Sequence, residues 1–107
     1  MDAVALQEMR GVCPGASAKT EGGQEFIDLP ALSIRVGEKS EIRDALLTMQ
    51  SHGGYVSRLF LSSPIAGRGQ NWTIHTVLGR PWHTPSWQHV TPGRPIEMLS
   101  EHLKVYR

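Results

Sequence analysis

The sequence from 32 to 36 reads Leu32-Ser33-Ile34-Arg35-Val36, in which apolar and polar side chains alternate. Alternation with period two is what a strand requires when one of its faces is buried and the other meets solvent. The pattern begins near Phe26, and Pro30 interrupts it, as is typical of a break or an edge position in a strand. We therefore predict that the fold is built on a β-strand in this region.

Two more strands are predicted downstream. Residues 42–49 are apolar enough for a second strand, and although Ala45-Leu46-Leu47 would also suit a helix, the short length of the run favours the strand. Residues 55–61 supply a third strand. Short polar turns join the three, so we predict an antiparallel meander of three to four strands.

A helix is predicted at each end of the chain. Asp2 can cap a short helix that Gly11 and Pro14-Gly15 end within three turns. Its apolar side consists of Val4, Ala5, Leu6 and Met9. Near the C-terminus Pro95 suits the first turn of a second helix. Apolar residues then recur three and four positions apart, at Ile96, Leu99, Leu103 and Tyr106.

Two segments show no clear hydrophobic period. Residues 16–24 are small and polar with two adjacent glycines, so we interpret them as a surface connection. Residues 62–94 form a long segment that holds Trp72, Trp82 and Trp87. Loops this long within a compact domain are usually functional or packed by their own side chains. The prediction is an α+β fold with an N-terminal helix, a meander, a long Trp/His segment and a C-terminal helix.

Composition limits the classes of function. At 107 residues the chain has material for one hydrophobic core, so we treat residues 1–107 as one domain. Eleven Lys and Arg balance ten Asp and Glu, and the basic residues are scattered, so we expect no nucleic-acid partner. No stretch approaches the roughly 20 apolar residues of a membrane helix, so we expect no membrane insertion. A single cysteine agrees with a cytoplasmic protein.

Cys13 is the first candidate for chemistry. It lies just past the predicted first helix and precedes Pro14, with no base beside it in the sequence. A reactive thiol needs a helix terminus or a cation that lowers its pKa, whereas free cysteines are usually small buried residues of apolar character. We favour the structural interpretation.

Three histidines, His75, His83 and His89, are the second candidate. Neutral imidazole is a common metal ligand, but their spacing matches no compact metal motif and no local cysteine or acidic residue completes a ligand set. We therefore predict no metal and no cofactor, and keep His75 and His83 as candidate catalytic residues. The alternative is that these histidines organise an irregular segment through hydrogen bonds.

Ser86 and the tryptophans that flank it are the third candidate. Ser86 lies near His83 and His89, but no Gly-x-Ser-x-Gly motif surrounds it and no acidic residue is nearby to orient an imidazole, so the indication of a hydrolase is weak. Trp82 and Trp87 flank the serine, and each indole can bury about 200 Å² of surface. They either pack a loop against the sheet or form a partner surface where they are exposed.

The predicted order of elements resembles the ubiquitin-conjugating-enzyme (UBC-like) fold. Phe26-Ile27-Asp28-Leu29-Pro30 followed by Leu32-Ser33-Ile34 resembles the first strand of the bacterial UBC-like proteins called prokaryotic family E. His52-Gly53-Gly54-Tyr55 is similar to that family's proline-glycine-tyrosine turn. The family's sequences end with the pattern Gly-x-x-Trp, Ser, Pro-Gly, Leu and His. This chain has a similar series: Gly79-Arg80-Pro81-Trp82, Ser86, Pro92-Gly93, Leu99 and His102-Leu103. The resemblance covers roughly residues 24–107.

This resemblance implies a component of a bacterial ubiquitin-like modification system, with a ubiquitin-like protein and an adenylating activating enzyme as partners. Conjugating enzymes carry the modifier on a cysteine as a thioester, and that cysteine generally precedes a tryptophan-proline stretch by several residues. Counting back from Trp82 reaches Ile74-His75, where there is no cysteine. The resemblance therefore implies a domain that binds partners without thioester chemistry. Its candidate partner-binding residues are Trp82, Ser86, Trp87 and His89.

Two other hypotheses stay open. The chain could be a small enzyme in which His75 and His83 form a catalytic or metal site. It could also be a structural or interaction module that has no site.

Overall fold

The computed structural model describes residues 3–48, 55–87 and 90–107. In chain order, its elements are α1 (Ala3–Val12), β1 (Ser17–Glu21), β2 (Gln24–Val36), β3 (Lys39–Thr48), β4 (Leu59–Leu61), β5 (Thr73–Val77), β6 (Arg80–Thr84) and α2 (Pro95–Leu103). A short 3-10 helix, Lys104–Tyr106, follows α2.

The six strands form one antiparallel sheet in the order β1-β2-β3-β4-β6-β5. The predicted α+β class is confirmed, with a helix before the sheet and a helix after it. The prediction of three to four strands is wrong, because two segments without an apolar period also form strands.

The first helix packs through a narrow apolar stripe. Ala5 and Met9 are buried, whereas Val4 is 69% exposed. The predicted helix is confirmed, but Val4 is not part of its buried side, because it lies beside the stripe. Asp2 lies outside the described residues, so its role as a cap stays a prediction.

Residues 17–21 form β1, where the sequence predicted a surface connection. β1 pairs with β2 in a hairpin. Its turn consists of Gly22 and Gly23, with φ values of 58° and 78°. Two-residue hairpin turns with positive φ at both positions favour glycine. β1 is an edge strand whose side chains are almost all exposed, so it carries no alternating apolar signal from which it could be predicted.

β2 contains a β-bulge at the predicted break. Between the pairs Leu29–Ala45 and Leu32–Arg43, two residues of β2 lie opposite one residue of β3. The two are Pro30, which has no N–H to donate, and Ala31, whose φ is 52°. The Ala31 N–H donates to Asp44 Oδ1 at 2.9 Å. The interruption predicted at Pro30 is thus confirmed.

The bulge keeps the apolar side chains of β2 on one face. Ile27 and Leu29 precede it, Leu32 and Ile34 follow it, and all four belong to the same buried cluster. A strand places alternate residues on opposite faces, so the extra residue is what brings positions 32 and 34 back to the face of positions 27 and 29.

β3 is an inner strand with neighbours on both sides. Its last four residues, 45–48, are all buried. The choice of a strand over a helix for this segment is therefore confirmed, although the predicted end at Met49 lies outside the described residues.

The predicted strand at 55–61 is shorter in the structure, where only Leu59–Leu61 forms β4. Just before it, the Arg58 N–H donates to the Thr48 hydroxyl at 2.6 Å, and the Ser57 hydroxyl donates to the Thr48 carbonyl at 2.7 Å. In a regular ladder the Arg58 N–H and the Thr48 carbonyl would bond to each other, whereas here each bonds to a side-chain hydroxyl. The strand therefore begins later than predicted.

The segment 62–94 contains a second hairpin, formed by β5 and β6. They pair from Thr73–Thr84 to Val77–Arg80, around a turn made by Leu78 and Gly79, whose φ values are 52° and 77°. The turn reaches back to the opposite edge of the sheet, where the Leu78 N–H donates to Glu21 Oε2 at 2.9 Å. The sheet is therefore curled.

The curled sheet has a buried cluster on each face. Both helices cover one face and its helix-side cluster: Met9, Cys13, Ala16, Ile27, Leu29, Leu32, Ile34, Ala45, Leu47, Leu59, Leu61, Ile65, Leu99 and Tyr106. The β5–β6 hairpin contributes to the smaller back-face cluster, which consists of Phe26, Leu46, Phe60, Val77 and Trp82.

The second helix begins at Pro95, as predicted. Glu97 Oε1 accepts a hydrogen bond from the Arg94 N–H at 2.9 Å, which satisfies a backbone donor at the start of the helix. Leu99 and Tyr106 are buried in the helix-side cluster. Within the described ranges, neither helix has the length and apolar character needed to cross a membrane.

Candidate functional site

An open groove of about 610 Å³ lies between the C-terminal 3-10 helix and the loops on either side of the β5–β6 hairpin. This volume is within the range of about 300–1,000 Å³ that is typical of ligand sites. The groove is lined by Tyr55, Gly67, Arg68, Gly69, Gln70, Ser86, Trp87 and Val105. Among the described residues, the lining includes one cation, Arg68, and no carboxylate.

The backbone of one wall is fixed by close packing at Gly69. Its φ is 75°, and a Cβ there would lie 2.9 Å from the Trp72 ring and 3.0 Å from Pro85. Only glycine fits such a position without a shift of its neighbours. The Ser86 N–H donates to the Gln70 carbonyl at 2.9 Å, so the two loops that line the groove are held to each other.

Arg68 and Trp72 join the same wall to the C-terminal part of the chain. Arg68 Nε donates to the Tyr106 carbonyl at 3.1 Å. The Trp72 ring stacks on the Tyr106 ring with 6.3 Å between centroids, and its Nε1 donates to the Arg68 carbonyl at 3.0 Å. The groove is therefore bounded by residues that bond to the packed core.

Arg58 is a buried cation beside the groove, with a residue exposure of 7%. Its guanidinium carbon lies 3.9 Å from the centre of the Tyr55 ring, a cation–π distance. Nε of Arg58 is buried and forms no hydrogen bond with the described residues. Burial lowers the pKa of Arg58, an effect that Tyr55 opposes.

Arg58 lines a small cavity of about 10 Å³ beside the groove. Trp87 and Val105 line both the cavity and the groove. The opposite wall of the cavity includes His102 and Thr84. The space is close to the minimum that a water molecule occupies.

His102 forms a buried pair with Ser57. Their Nε2 and Oγ atoms are 3.0 Å apart, and His102 is 4% exposed. Because the Ser57 hydroxyl donates to the Thr48 carbonyl, its oxygen accepts from the imidazole, which places the proton of neutral His102 on Nε2. Ser57 is thus committed as a donor elsewhere, and the pair is not arranged as a nucleophile with its base.

The structure brings together two of the four candidate partner-binding residues. Ser86 and Trp87 both line the groove, and Ser86 Oγ lies 3.5 Å from Tyr55 Oη. Trp82 is elsewhere: it is 2% exposed in the back-face cluster, and its Nε1 donates to the Val77 carbonyl at 3.0 Å. A buried ring cannot contact a partner, so we assign Trp82 to packing. His89 lies outside the described residues.

His75 and His83 do not come together. His75 pairs with Trp82 across the β5–β6 hairpin, and His83 pairs with Ile74. The side chains of paired residues lie on the same face of a sheet, and successive side chains along a strand lie on opposite faces. His83 therefore shares a face with Ile74, and His75 lies on the opposite face. The His75 ring meets Phe60 edge-on at 5.5 Å and its Nε2 lies 2.9 Å from Thr73 Oγ1. Across residues 3–48, 55–87 and 90–107, no three His, Cys, Asp or Glu side chains are grouped as metal ligands.

Cys13 is a buried member of the helix-side cluster, with 1% exposure. Its Sγ donates to the Pro30 carbonyl at 3.2 Å, and burial raises the pKa of the thiol. His75, by contrast, contacts Phe60 of the back-face cluster. The resemblance implies that an active-site cysteine would lie at the position of His75. The chain's single cysteine, Cys13, lies on the other face of the sheet from this position.

Three residues of this site were not predicted from the sequence: Tyr55, Arg58 and Arg68. One signal was available for Arg58, a charged residue within the otherwise apolar run 55–61. Such a residue in a predicted strand calls for a partner or a function. Tyr55 and Arg68 gave no comparable signal, because tyrosine is common in strands and arginine is common in surface loops.

Comparison with known proteins identified no matching family model, no matching curated protein and no matching solved structure.

Proposed function

We propose that this chain is a UBC-like domain that binds a ubiquitin-like protein through the groove and does not form a thioester. The observation that carries the proposal is that Ser86, a residue of the family-like ending, and the adjacent Trp87 line one open groove. The predicted element order supports the proposal as well, since a helix precedes an antiparallel sheet and a second helix follows it.

The position of Cys13 supports the absence of thioester chemistry. A thioester carrier must be exposed as a thiolate to reach the modifier's carbonyl. Cys13 is 1% exposed, its thiol is hydrogen-bonded to the Pro30 carbonyl, and burial raises its pKa. Each of these properties opposes nucleophilic attack.

The composition of the groove supports protein binding. Tyrosine, tryptophan and arginine are enriched in protein interfaces, and Tyr55, Trp87 and Arg68 all line it. Gly67 leaves open space at the groove, because a Cβ there would meet no atom within 4 Å. The proposed occupant of the groove is a segment of the ubiquitin-like protein, and the adenylating activating enzyme is the proposed second partner.

The test is a pull-down with the ubiquitin-like protein and activating enzyme encoded near this chain's gene, in the presence of ATP, followed by a non-reducing gel. We expect binding without a covalent adduct. Ser86→Lys, which places bulk and charge at the groove, should weaken binding at least about tenfold, or about 1.4 kcal/mol. Ser63→Lys is the matched control, because Ser63 is exposed and lies outside the groove lining.

Two outcomes would contradict the proposal. An adduct that a reductant removes, and that Cys13→Ser abolishes, would show a working conjugating enzyme. Absence of binding to either partner, with folding confirmed by circular dichroism, would leave an α+β domain without this function.

A further inference from the structure

Arg58 carries a charge that the described part of the protein does not balance. It is 7% exposed, and none of the ion pairs among the described residues includes it. The Tyr55 ring at 3.9 Å provides a cation–π contact, but Nε is buried with no hydrogen-bond partner there. Buried charges in proteins are normally paired, so this guanidinium calls for an explanation.

Packing alone does not explain an arginine at this position. Apolar side chains of similar volume fill a protein interior without the desolvation cost of a charge. A methionine would also contact Tyr55 and would leave no N–H group unsatisfied. The retained charge is therefore best explained by an anion that reaches it.

The cavity that Arg58 lines is next to the groove, where such an anion could bind. The small cavity that Arg58 lines shares Trp87 and Val105 with the groove. About 10 Å³ is enough for one oxygen atom but not for a whole ligand. A ligand whose body occupies the groove could insert a single oxygen toward Arg58.

The polar groups nearby suit the same ligand. Tyr55 and Ser86 contribute hydroxyl groups to the groove, and Arg68 contributes a second cation. The other titratable groups that line the small cavity are His102 and Tyr106. His102 Nε2 is already bonded to Ser57. Among the described residues, no carboxylate lines either space, so no described side chain in these linings repels an anion by its charge.

We propose that the groove and cavity form a binding site for an oxyanion, in which an oxygen of a carboxylate or phosphate group accepts a hydrogen bond from Arg58 Nε–H. Arginine binds both groups through charge-assisted hydrogen bonds, so the shared chemistry is that of the oxyanion. This site stands whether or not the domain binds a ubiquitin-like protein.

The experiment follows the Arg58 Nε–Hε resonance by ¹H–¹⁵N NMR of the full chain. Sodium acetate and sodium phosphate are titrated separately at constant ionic strength, with sodium chloride as the exchanged salt. We expect a saturable shift of this resonance with one or both oxyanions. Tighter binding of acetate would identify a carboxylate site, and tighter binding of phosphate would identify a phosphate site.

Two substitutions make the test specific. Arg58→Met should abolish saturable shifts of the groove amides, including that of Ser86, and should leave the melting temperature in chloride unchanged or higher. Arg80→Met is the matched control, because Arg80 also lies over an aromatic ring, Trp82, at 4.4 Å. Unlike Arg58, it is exposed and paired with Asp44 at 3.5 Å, so its replacement should leave the shifts intact.

Three results would overturn the site. One is an Arg58 resonance that does not respond to either oxyanion, which would mean that a water alone satisfies Nε. Another is an equal response to chloride, which would indicate general screening. The third is a saturable response of the groove amides that survives in a folded Arg58→Met variant. The titration of the unsubstituted chain decides the first two even if Arg58→Met does not fold.

Discussion

His102 is the buried titratable residue with the clearest effect on stability. Its imidazole is 4% exposed and bonded to Ser57 at 3.0 Å, and it lies in the cavity that Arg58 also lines. Burial lowers the pKa of His102 from 6.5 to about 4. The folded protein therefore keeps this histidine neutral at a pH where the unfolded chain would protonate it.

Stability should fall as the pH is lowered through this interval. The unfolded chain binds the proton from its pKa of 6.5 downward, whereas the folded chain resists until about 4. The contribution of neutral His102 to the free energy of unfolding is thus fully present above pH 6.5 and is lost progressively as the pH falls below this value. It stops changing below the pKa of His102 in the folded protein. Urea unfolding should give a free energy about 2 kcal/mol lower at about pH 5 than at about pH 7.5.

The control is His102→Gln, whose amide can still donate to Ser57 but does not titrate. Its free energy of unfolding should change much less between the same two pH values. An equal pH dependence in both proteins would show that other groups cause the loss.

The β5–β6 hairpin depends on an unusual turn. Leu78 adopts a φ of 52° and Gly79 a φ of 77°, whereas Asn-Gly or Asp-Gly is the preferred pair for such turns. Two contacts compensate for the leucine: its N–H bonds to Glu21, and its side chain packs against the back-face cluster. Tertiary contacts thus stabilise a turn that local preference disfavours.

Alanine substitution at two glycines should separate backbone conformation from crowding. A Cβ would meet no atom within 4 Å at either Gly79 or Gly11. Gly79→Ala should lower the free energy of unfolding by about 1 kcal/mol, because φ is positive there. Gly11→Ala, within α1, should raise it by up to about 1 kcal/mol, because alanine favours a helix. Thermal or urea unfolding measures both.

Opposite signs are the essential part of this prediction. If Gly79→Ala were neutral, the turn would change its conformation at little cost, and the hairpin would not depend on glycine there. A loss of stability in Gly11→Ala would mean that the C-terminal turn of α1 is not a regular helix.

Elements with a buried apolar face were predictable, and edge elements were not. The alternation in residues 32–36 and the spacing at Leu99 and Leu103 identified β2 and α2. β1 is exposed along its length, and β5 exposes Ile74 at 66%, so neither has a period that marks a strand. Their hairpins depend on turns that contain glycine and on pairing with the next strand, β2 or β6, rather than on a buried apolar face.

The candidate site was predictable only in part for a related reason. Trp87 stood out by residue type and Ser86 by the family resemblance, and both line the groove. Arg58 lies outside the regular ladder because its N–H bonds to the Thr48 hydroxyl, while the Thr48 carbonyl accepts from the Ser57 hydroxyl. These bonds join the residues just before β4 to the end of β3, so the pattern of residues 55–61 alone indicated a continuous strand.

At the scale of the whole molecule, the two clusters share the inner strands of one sheet. Leu46 belongs to the back-face cluster, whereas Ala45 and Leu47 belong to the helix-side cluster. Opening one face therefore exposes β3, on which the other face also depends. A domain of this size with such a shared strand is expected to unfold in a single transition.

Two tryptophans can report on the two faces separately. Trp72 packs against the helix-side cluster, and Trp82 is part of the back-face cluster. Each variant keeps either Trp72 or Trp82, and phenylalanine replaces the other two of the chain's three tryptophans. In each variant, the fluorescence transition in urea should coincide with the loss of far-ultraviolet circular dichroism. A Trp82 signal that changes at lower urea would show that the β5–β6 hairpin unfolds first.

Deletions of single codons should be especially harmful at the bulge in β2. Without Ala31, every later residue of the strand would turn to the opposite face. Leu32 and Ile34 would leave the helix-side cluster, and Ser33 and Arg35 would enter it. A substitution at position 31 has a smaller effect, because it only has to accommodate a φ of 52°. Natural relatives of this protein should therefore vary here in residue type and keep the same length.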